Sequence, residues 1–295
     1  MNSELDWIRR ARQLCRAGIG DDAAVLKWTS KKDLLVTTDM ILEKSHFKLS
    51  KATAYEIGWK AMAVNLSDIA AMGGLPTSAV VSLGVPPRTR QAFLNEIYRG
   101  ILAVAGRFGV SVVGGDTNAS GSWVICVTLL GEVPRGKALL RSGAKIGDWI
   151  FVSGALGGSY PSGKHLRFMP RIREARYLAH RFGVHAMMDL SDGLASDIRR
   201  IMEESRVGVV LEERLIPRAS GSVSLDSALS DGEDFELLFT LSPLDGTRLA
   251  RARKKRGLAR FTKIGEVVPE KRGVRILRRN GSLEKLRSKG YEHFK

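Results

Sequence analysis

Short apolar runs alternate with helical periodicities along most of the chain, and this alternation restricts the fold more than any other feature. The helical patterns include Phe93–Phe108, with apolar residues about 3.6 positions apart, a second around Ile198–Met202, and a third over Leu244–Gly257. Strands and helices of comparable weight predict an α/β (α+β) protein. The nine strand-like runs are Leu34–Thr38, Ala79–Gly84, Val110–Val113, Trp123–Gly131, Trp149–Ser153, Ala186–Met188, Val207–Leu211, Glu236–Leu241 and Val274–Leu277.

The chain has 295 residues, which favours two domains of ordinary size. A polar stretch at Pro134–Ala144 predicts the boundary, and we divide the chain into residues 1–135 and 136–295. No apolar stretch is long enough to span a membrane, and the charged N-terminus does not resemble a signal peptide. Cys15 and Cys126 are the only cysteines, which favours a reducing, cytoplasmic environment over disulfides or structural zinc.

Positive charge is concentrated near the C-terminus. The formal net charge is +16, and residues 248–289 hold 16 Lys or Arg against three acids. A helical pattern puts Leu249 inward and the charges outward, and few aromatic residues interleave with them. We therefore interpret the stretch as a solvated face. A nucleic-acid-binding site is the alternative, and a steep salt dependence of binding would support it.

Several aspartates follow predicted strands directly. A carboxylate in this position is often a turn or N-cap residue, and Asp192, just before Gly193 and a predicted helix, fits an N-cap. Taken together, however, the acids form a pattern that capping explains poorly. They are Asp21 and Asp22 after Gly18-Ile19-Gly20, Asp39 after Leu34–Thr38, Asp116 after Gly114-Gly115, Asp189 after Ala186–Met188, and Asp192.

Asp68 is the most unusual of the acids because it lies within an apolar helix. The segment Ala54–Met72 is apolar nearly all round, which predicts a buried helix. Asp68 falls on the stripe of Ile57, Ala61 and Val64. A buried carboxylate is costly without a cation or hydrogen-bond donors, so Asp68 predicts such a partner.

A hard divalent cation would meet this requirement. Magnesium prefers oxygen ligands and usually joins a few carboxylates to substrate phosphates, and Thr37 and Thr38 lie beside Asp39. The five histidines lack the spacing of a zinc site. Gly158, Gly163 and Lys164 match the start of a P-loop, but His165 replaces the Ser or Thr that would bind magnesium, which argues against that reading.

The same residues belong to a longer series of motifs that runs, in order, from residue 18 to the end of the chain. The series resembles that of thiamine-monophosphate kinases, which belong to a superfamily of ATP-using enzymes with aminoimidazole ribonucleotide synthetase. Its segments are Gly18–Val25, Thr37–Met40 with His46-Phe47, Trp59–Ala61, Asn65–Gly74, Gly114–Thr117, Arg141–Ala144, Asp189–Leu194, Asp231–Leu237 and Gly290–Phe294.

The resemblance implies a two-domain, aminoimidazole ribonucleotide synthetase-like fold whose N-terminal strands form a homodimer interface. It implies transfer of the γ-phosphoryl group of ATP to thiamine monophosphate, assisted by Mg²⁺ and without nucleic acid or membrane as a partner. The implied magnesium ligands are Asp22, Thr37, Thr38, Asp39, Asp68, Asp116, Asp189 and Asp192, of which Asp39, Asp68, Asp116 and Asp192 are the catalytic set. The implied ATP contacts are Tyr98, Gly115, Asp116, Arg141 and Ser191, and the implied substrate contacts are His46, Glu233 and Tyr291.

Simpler readings remain open for some of these residues, since Tyr98 and Tyr291 are also explained by packing and His46 and Arg141 by a surface position. The chain departs from the family at Leu156-Gly157-Gly158-Ser159, where the family usually has Leu-Gly-Asp-Ser, and Tyr160-Pro161 follows instead of small residues. Another ATP-dependent synthetase of the superfamily, similar to aminoimidazole ribonucleotide synthetase, is the alternative function.

Overall fold

The computed structural model describes residues 4–15, 20–220, 223–252, 257–288 and 290–291. Motif residues 18–19 and 292–294 and the basic residues 253–256 and 289 lie outside this part of the chain. The helices are α1 Glu4–Cys15, α2 Ala54–Ala71, α3 Gln91–Arg107, α4 Ser159–Ser162, α5 Lys164–Arg167, α6 Ile172–Arg181, α7 Leu194–Ser205, α8 Leu225–Ser230 and α9 Pro243–Arg251. The strands are β1 Ala24–Lys27, β2 Lys32–Leu42, β3 Leu75–Val85, β4 Ser111–Ala119, β5 Val124–Pro134, β6 Trp149–Ser153, β7 Val184–Asp189, β8 Val207–Glu212, β9 Leu237–Leu241, β10 Phe261–Pro269, β11 Val274–Leu277 and β12 Leu283–Lys285.

The chain separates into two compact units. The five-stranded unit contains Ala23–Ala138 and Gly163–Ile172, and the seven-stranded unit contains Met1–Asp22, Leu139–Ser162 and Arg173–Lys295. The change at residue 138 falls inside the predicted boundary stretch. Each unit, however, is built from separate segments of the chain, whereas the division into 1–135 and 136–295 has one continuous segment per domain. The reason is long-range pairing: Asp22 pairs with Arg141 in one unit, and Trp59 donates to the carbonyl of Phe168 in the other.

The five-stranded unit is a mixed sheet covered by helices on one face. Its strand order is β1-β2-β5-β3-β4, in which only β3 and β4 are parallel. Alternate residues of β2 and β5 are buried, because one face of the sheet packs against α2. The opposite face leaves apolar side chains such as Met40 and Val80 exposed.

Helix α2 is the buried helix that the sequence predicts. Its first turn is held by a capping box, in which the Thr53 side chain accepts from the Glu56 amide while the Glu56 side chain accepts from the Thr53 amide. Helix α2 packs against the sheet, α3 and α5, which explains why it is apolar on nearly every side. Among the described residues, no helix is long and apolar enough to cross a bilayer.

Two glycines allow the backbones of α2 and α3 to touch. A Cβ at Gly58 would overlap the carbonyl oxygen of Ile97, and one at Gly100 would overlap that of Tyr55. We expect Gly100→Ala to lower the free energy of unfolding by about 1–3 kcal/mol, measured by urea denaturation, because backbone atoms cannot yield as side chains do.

Gly106 provides the matched control on the same helix. A Cβ there meets no atom of the described residues within 4 Å. Gly106→Ala should therefore leave stability unchanged or raise it by up to about 1 kcal/mol, since alanine favours the helix. Equal destabilisation by both substitutions would contradict the close helix crossing.

The seven-stranded unit is a sheet with helices on both faces. Its strand order is β12-β11-β8-β10-β6-β9-β7, and only β8 and β11 are parallel. One face packs against α7 and α8 through a core that includes Ile150, Met188 and Ile198. On the other face, Phe151 stacks on Phe239, and Phe261 meets Phe239 edge to face.

All nine predicted strands are confirmed, two of them with unchanged bounds, and so is the predicted fold class. The sequence analysis missed β1, β10 and β12. Strands β1 and β12 are short and fully exposed, so they show no alternation of polar and apolar residues. Strand β10 is central, but Lys263, Gly265 and Glu266 interrupt its pattern and its register shifts between Lys263 and Gly265.

Candidate active site

In the five-stranded unit, β2 and α2 bring a threonine and two aspartates to the covered face of the sheet. The alternation along β2 turns Thr37 toward α2, and its hydroxyl donates to Asp68 Oδ2. Asn65, one turn before Asp68, accepts from the Asp39 amide through Oδ1 at 3.0 Å. Asn65 is itself fixed by donation to the carbonyl of Ala61, so the helix holds the strand at Asp39.

Two of the predicted aspartates do not follow strands but lie inside them. Strand β2 continues to Leu42, and Asp39 is paired opposite Val127 of β5. Strand β4 continues to Ala119, and Asp116 is paired opposite Ser82 of β3. The prediction of strand ends was wrong here because backbone pairing extends past the apolar run.

Asp116 is exposed, and its Oδ2 accepts a hydrogen bond of 2.6 Å from Asn118. The preceding glycine has a structural explanation, since a Cβ at Gly115 would overlap the Val81 carbonyl of the neighbouring strand. Close strand packing therefore requires Gly115 whether or not a nucleotide binds there. Tyr98 lies half-buried on α3.

The Thr38 hydroxyl lies on the opposite face of the sheet from Thr37. It is within hydrogen-bond distance of Thr128 Oγ1 at 3.0 Å, the Val127 carbonyl at 3.3 Å and Cys126 Sγ at 3.5 Å. Consecutive strand residues must point to opposite faces, so Thr37 and Thr38 cannot present their hydroxyls to the same cation. That Thr38 is a magnesium ligand stays a prediction, and its hydroxyl would serve a different cation from that of Thr37.

His46 lies in a tight turn after β2. Its Nδ1 accepts from the Leu42 amide at 3.0 Å, so the neutral imidazole carries its proton on Nε2. Its backbone carbonyl accepts a 2.7 Å hydrogen bond from the fully buried ammonium of Lys60 on α2. These contacts fix the position of the His46 ring and leave its Nε2–H as the hydrogen-bond donor.

In the seven-stranded unit, Arg141 is the centre of the first carboxylate group. Its backbone amide donates to Asp21 Oδ1 at 2.8 Å, its NH1 donates to the Gly20 carbonyl at 3.0 Å, and its NH2 pairs with Asp22 Oδ1. The Asp22 side chain is 1% exposed and that of Arg141 is 16% exposed. Arg141 is therefore a buried ion-pair residue and not a surface arginine.

Burial shapes the charges in this group. Burial opposes the Arg141 charge, but attraction to Asp22, a hydrogen bond to Asp22 and the more distant Asp197 and Asp189 outweigh it and raise the pKa of Arg141. Burial also raises the pKa of Asp21, which the hydrogen bond from Arg141 partly offsets. Asp22 Oδ2 is buried, and no described residue gives it a hydrogen bond. A buried carboxylate oxygen of this kind is open to a cation.

The loop Asp189–Gly193 carries the second group of carboxylates, Asp189 and Asp192, and hydrogen bonds to several segments fix its backbone. Asp189 is the buried last residue of β7, as its predicted position requires. The loop continues with backbone hydrogen bonds that fix its path. They run from Phe235 N to Leu190 O, Glu233 N to Ser191 O, Leu190 N to Glu236 O and Tyr291 N to Asp192 O, at 2.6–3.0 Å.

Two residues that the sequence analysis missed organise this loop. Asp197 on α7 is fully buried, and its Oδ2 accepts from the amides of Asp192 and Gly193, both at 3.1 Å. Arg200 pairs with Asp197 at 3.0 Å and also with Asp192. Asp192 is therefore not the N-cap, which is Gly193 with φ 106°.

The signal for Asp197 was present in the sequence. It falls beside Ile198 and three residues after Leu194, on the apolar stripe of α7, where a buried acid needs partners. Burial raises the pKa of Asp197 well above its ordinary value, even though Arg200 acts in the opposite direction.

Each unit thus collects several oxygen-bearing side chains. Thr37, Asp39 and Asp68 lie together in the five-stranded unit, and Asp22, Asp189 and Asp192 lie in the seven-stranded unit. Such oxygen-rich groups suit a hard divalent cation bound to phosphates. That the two groups serve the same cations stays a prediction.

The comparisons with known proteins define the class first. Residues 20–133 match the family model of the AIR synthase related protein, N-terminal domain, and residues 144–278 match that of the C-terminal domain. The thiamine-monophosphate kinase of Rhodopirellula baltica is 41% identical over 82% of this chain and 82% of its own, and that of Bacillus subtilis is 36% identical over 94% and 93%. The chain belongs to the thiamine-monophosphate kinase family, so the resemblance drawn from the motifs is confirmed.

A solved structure agrees with this membership. AaThiL complexed with AMPPCP and TMP superposes with a TM-score of 0.86 and 31% sequence identity, covering 99% of this chain and 97% of that chain. The predicted two-domain, aminoimidazole ribonucleotide synthetase-like fold is therefore confirmed.

Proposed function

We propose that this protein catalyses the ATP-dependent phosphorylation of thiamine monophosphate to thiamine diphosphate. The observation that carries the proposal is the similarity, over nearly the full length of both chains, to AaThiL complexed with AMPPCP and TMP. Identities of 36–41% to thiamine-monophosphate kinases of two bacteria support it further.

The chemistry requires little from a general base. A phosphate oxygen of thiamine monophosphate attacks the γ-phosphorus of ATP, the bond from that phosphorus to the β,γ-bridging oxygen breaks, and ADP leaves with the electron pair. The attacking oxygen already carries negative charge at neutral pH, so no strong base is needed to deprotonate it. The task of the enzyme is to align two polyanions and reduce their repulsion.

We propose that Mg²⁺ reduces this repulsion, and the buried Asp22 Oδ2 supports the fit because no described residue gives it a hydrogen bond. The ion would supply charge that screens the phosphates of both substrates. Its proposed ligands are Asp22, Thr37, Asp39, Asp68, Asp116, Asp189 and Asp192, with Asp39, Asp68, Asp116 and Asp192 as the catalytic set. Thr38 is also a proposed ligand, although its hydroxyl lies on the other face of the sheet from that of Thr37.

The remaining residues of the site are proposed as substrate contacts. Tyr98, Gly115, Asp116, Arg141 and Ser191 would contact ATP, and His46, Glu233 and Tyr291 would contact thiamine monophosphate. For His46 the fixed tautomer supports a specific role, since its Nε2–H can donate to a phosphate oxygen.

The test is incubation with ATP, MgCl₂ and thiamine monophosphate, followed by separation of the products. Thiamine diphosphate and ADP should form in equal amounts, and EDTA should stop their formation. Thiamine with a free hydroxyl serves as the control acceptor and should remain unphosphorylated. Release of ADP without thiamine diphosphate, or no reaction, would refute the proposal.

We also propose that the protein is a homodimer formed through the exposed face of the five-stranded sheet. Met40 and Val80 are exposed on that face, and an apolar sheet face of this kind favours burial against a second copy. Sedimentation equilibrium should give twice the chain mass of 32.4 kDa. Met40→Glu should shift the mass toward one copy, and a monomeric wild type would exclude the interface.

A further inference from the structure

The loop that departs from the family pattern is firmly attached to the segment that carries Glu233. The loop follows β6 and begins with Gly157 and Gly158, both with positive φ. Three groups of the loop bind the acidic segment 231–234 of the same unit. The contacts are Gly157 N to Asp234 Oδ2 at 2.9 Å, Gly158 N to Asp231 Oδ2 at 3.1 Å, and Ser159 Oγ to the Glu233 carbonyl at 2.7 Å.

These contacts place the next residue, Tyr160, beside Glu233. The Tyr160 hydroxyl is hydrogen-bonded to the Glu233 carboxylate, while the residue remains 48% exposed. Burial of the hydroxyl end and the negative charge of Glu233 raise the pKa of Tyr160 to about 12, so the phenol keeps its proton and donates at neutral pH. The contacts of Gly157, Gly158 and Ser159 hold the loop in place beside Glu233.

Glu233 itself is held in an uncommon conformation. Its φ is 53° and that of Phe235 is 50°, both in the left-handed region that residues other than glycine seldom adopt. The Glu233 amide donates to the Ser191 carbonyl at 2.6 Å, which ties the segment to the loop Asp189–Gly193. Tyr291, 50% exposed, lies near Tyr160.

A carboxylate with exposed phenol rings selects a particular ligand chemistry. The negative charge repels phosphate, and the Tyr160 hydroxyl is engaged as a donor to Glu233. Aromatic faces and a carboxylate together attract a flat organic cation. The thiazolium ring of thiamine is such a cation, whereas no part of ATP is a flat cation at neutral pH.

We propose that Tyr160, which orients Glu233 and offers its ring, is a specificity-determining residue for the cationic ring of the acceptor. The inference rests on the proposed function and adds a residue outside the family motifs. Tyr160 recognises the positive charge of the acceptor ring through its own aromatic ring, and it takes no part in the transfer step.

The experiment compares Tyr160→Phe, which removes only the hydroxyl, with Tyr160→Ala, which also removes the ring. We expect the KM for thiamine monophosphate to rise about 2–10-fold in the first and about 10–50-fold in the second, from loss of a hydrogen bond and then of a ring contact. The KM for ATP should change by less than about twofold, since nothing in this loop is assigned to the nucleotide. Tyr177→Phe is the matched control, because it removes the same hydroxyl from a tyrosine that stacks on Phe261, on the face of the seven-stranded sheet opposite α7 and α8. It should behave as wild type.

A second readout separates recognition from a general structural effect. The wild type should prefer thiamine monophosphate over the isostere in which a neutral thiophene replaces the thiazolium, and Tyr160→Ala should lose most of that preference. An unchanged KM and an unchanged preference in both variants would overturn the inference, even if the wild type is an active kinase. If the wild type does not phosphorylate thiamine monophosphate, the proposed function is wrong. The preference of Tyr160 for the thiazolium ring is then tested separately, by calorimetric binding of thiamine and of its thiophene isostere to the wild type and to Tyr160→Ala.

Discussion

We expect Asp68→Asn to lower the turnover number with thiamine monophosphate by about a hundredfold to a thousandfold at millimolar Mg²⁺. The substitution keeps the shape of the side chain and an oxygen that can accept from Thr37, but it removes the charge. Steady-state rates over a range of Mg²⁺ concentrations measure the effect.

Asp33→Asn provides the matched control on the strand that carries Thr37. Asp33 is buried on the same face of the sheet, but its Oδ2 accepts from the Gly136 amide at 2.7 Å, a contact that asparagine can keep. Its turnover should be close to that of the wild type. A fully active Asp68→Asn enzyme, or an equal loss in both variants, would remove Asp68 from the proposed catalytic set.

The second large effect concerns stability. Arg141→Met should lower the free energy of unfolding by about 3–5 kcal/mol, because it leaves the buried Asp22 without its cation. Denaturant unfolding at pH 7 measures the loss. Arg279→Met is the control: Arg279 is 62% exposed, 3.4 Å from Glu213, and an exposed pair contributes at most about 1 kcal/mol.

The pH dependence of the Arg141→Met variant gives an independent check. Burial already raises the pKa of Asp21 in the folded protein, so folding favours the protonated form of that carboxyl. Without Arg141, the attraction that lowers the pKa of Asp21 is lost, so that pKa should rise further. A folded-state pKa above the unfolded value of about 4 means that stability falls as pH rises through that window. The deficit of the variant should therefore shrink between pH 7 and pH 5, and a deficit that grows would contradict the charge argument.

The fold followed closely from the sequence because apolar runs and helical periodicities are patterns among residues close together in the chain. The apolar runs at Trp149–Ser153 and Val274–Leu277 become strands with unchanged bounds, and the segment Ala54–Met72 becomes a buried helix. Strand β10 escaped detection because Gly265 and two charged residues break its alternation, although it lies centrally between β8 and β6.

The candidate site was predicted less completely, since its organisation depends on contacts between distant segments. The sequence left Asp192 as either an N-cap or a metal ligand, and it did not show that Asp197 and Arg200 determine its surroundings. The alternation of side chains along a strand is itself a local rule. Applied to Thr37 and Thr38, it would have shown that only one of their hydroxyls faces α2.

The sequence by itself determined nine of the twelve described strands, the burial of α2, the family and the identity of most residues proposed for the site. Only the tertiary structure decided that Arg141 is a buried partner of Asp22, that Asp39 and Asp116 lie within strands, and that Tyr160 is bonded to Glu233. The physical reason is the separation along the chain over which each interaction acts. Apolar periodicity acts between neighbours in the chain, whereas ion pairs, strand pairing and loop attachment join residues that the folded backbone alone brings together.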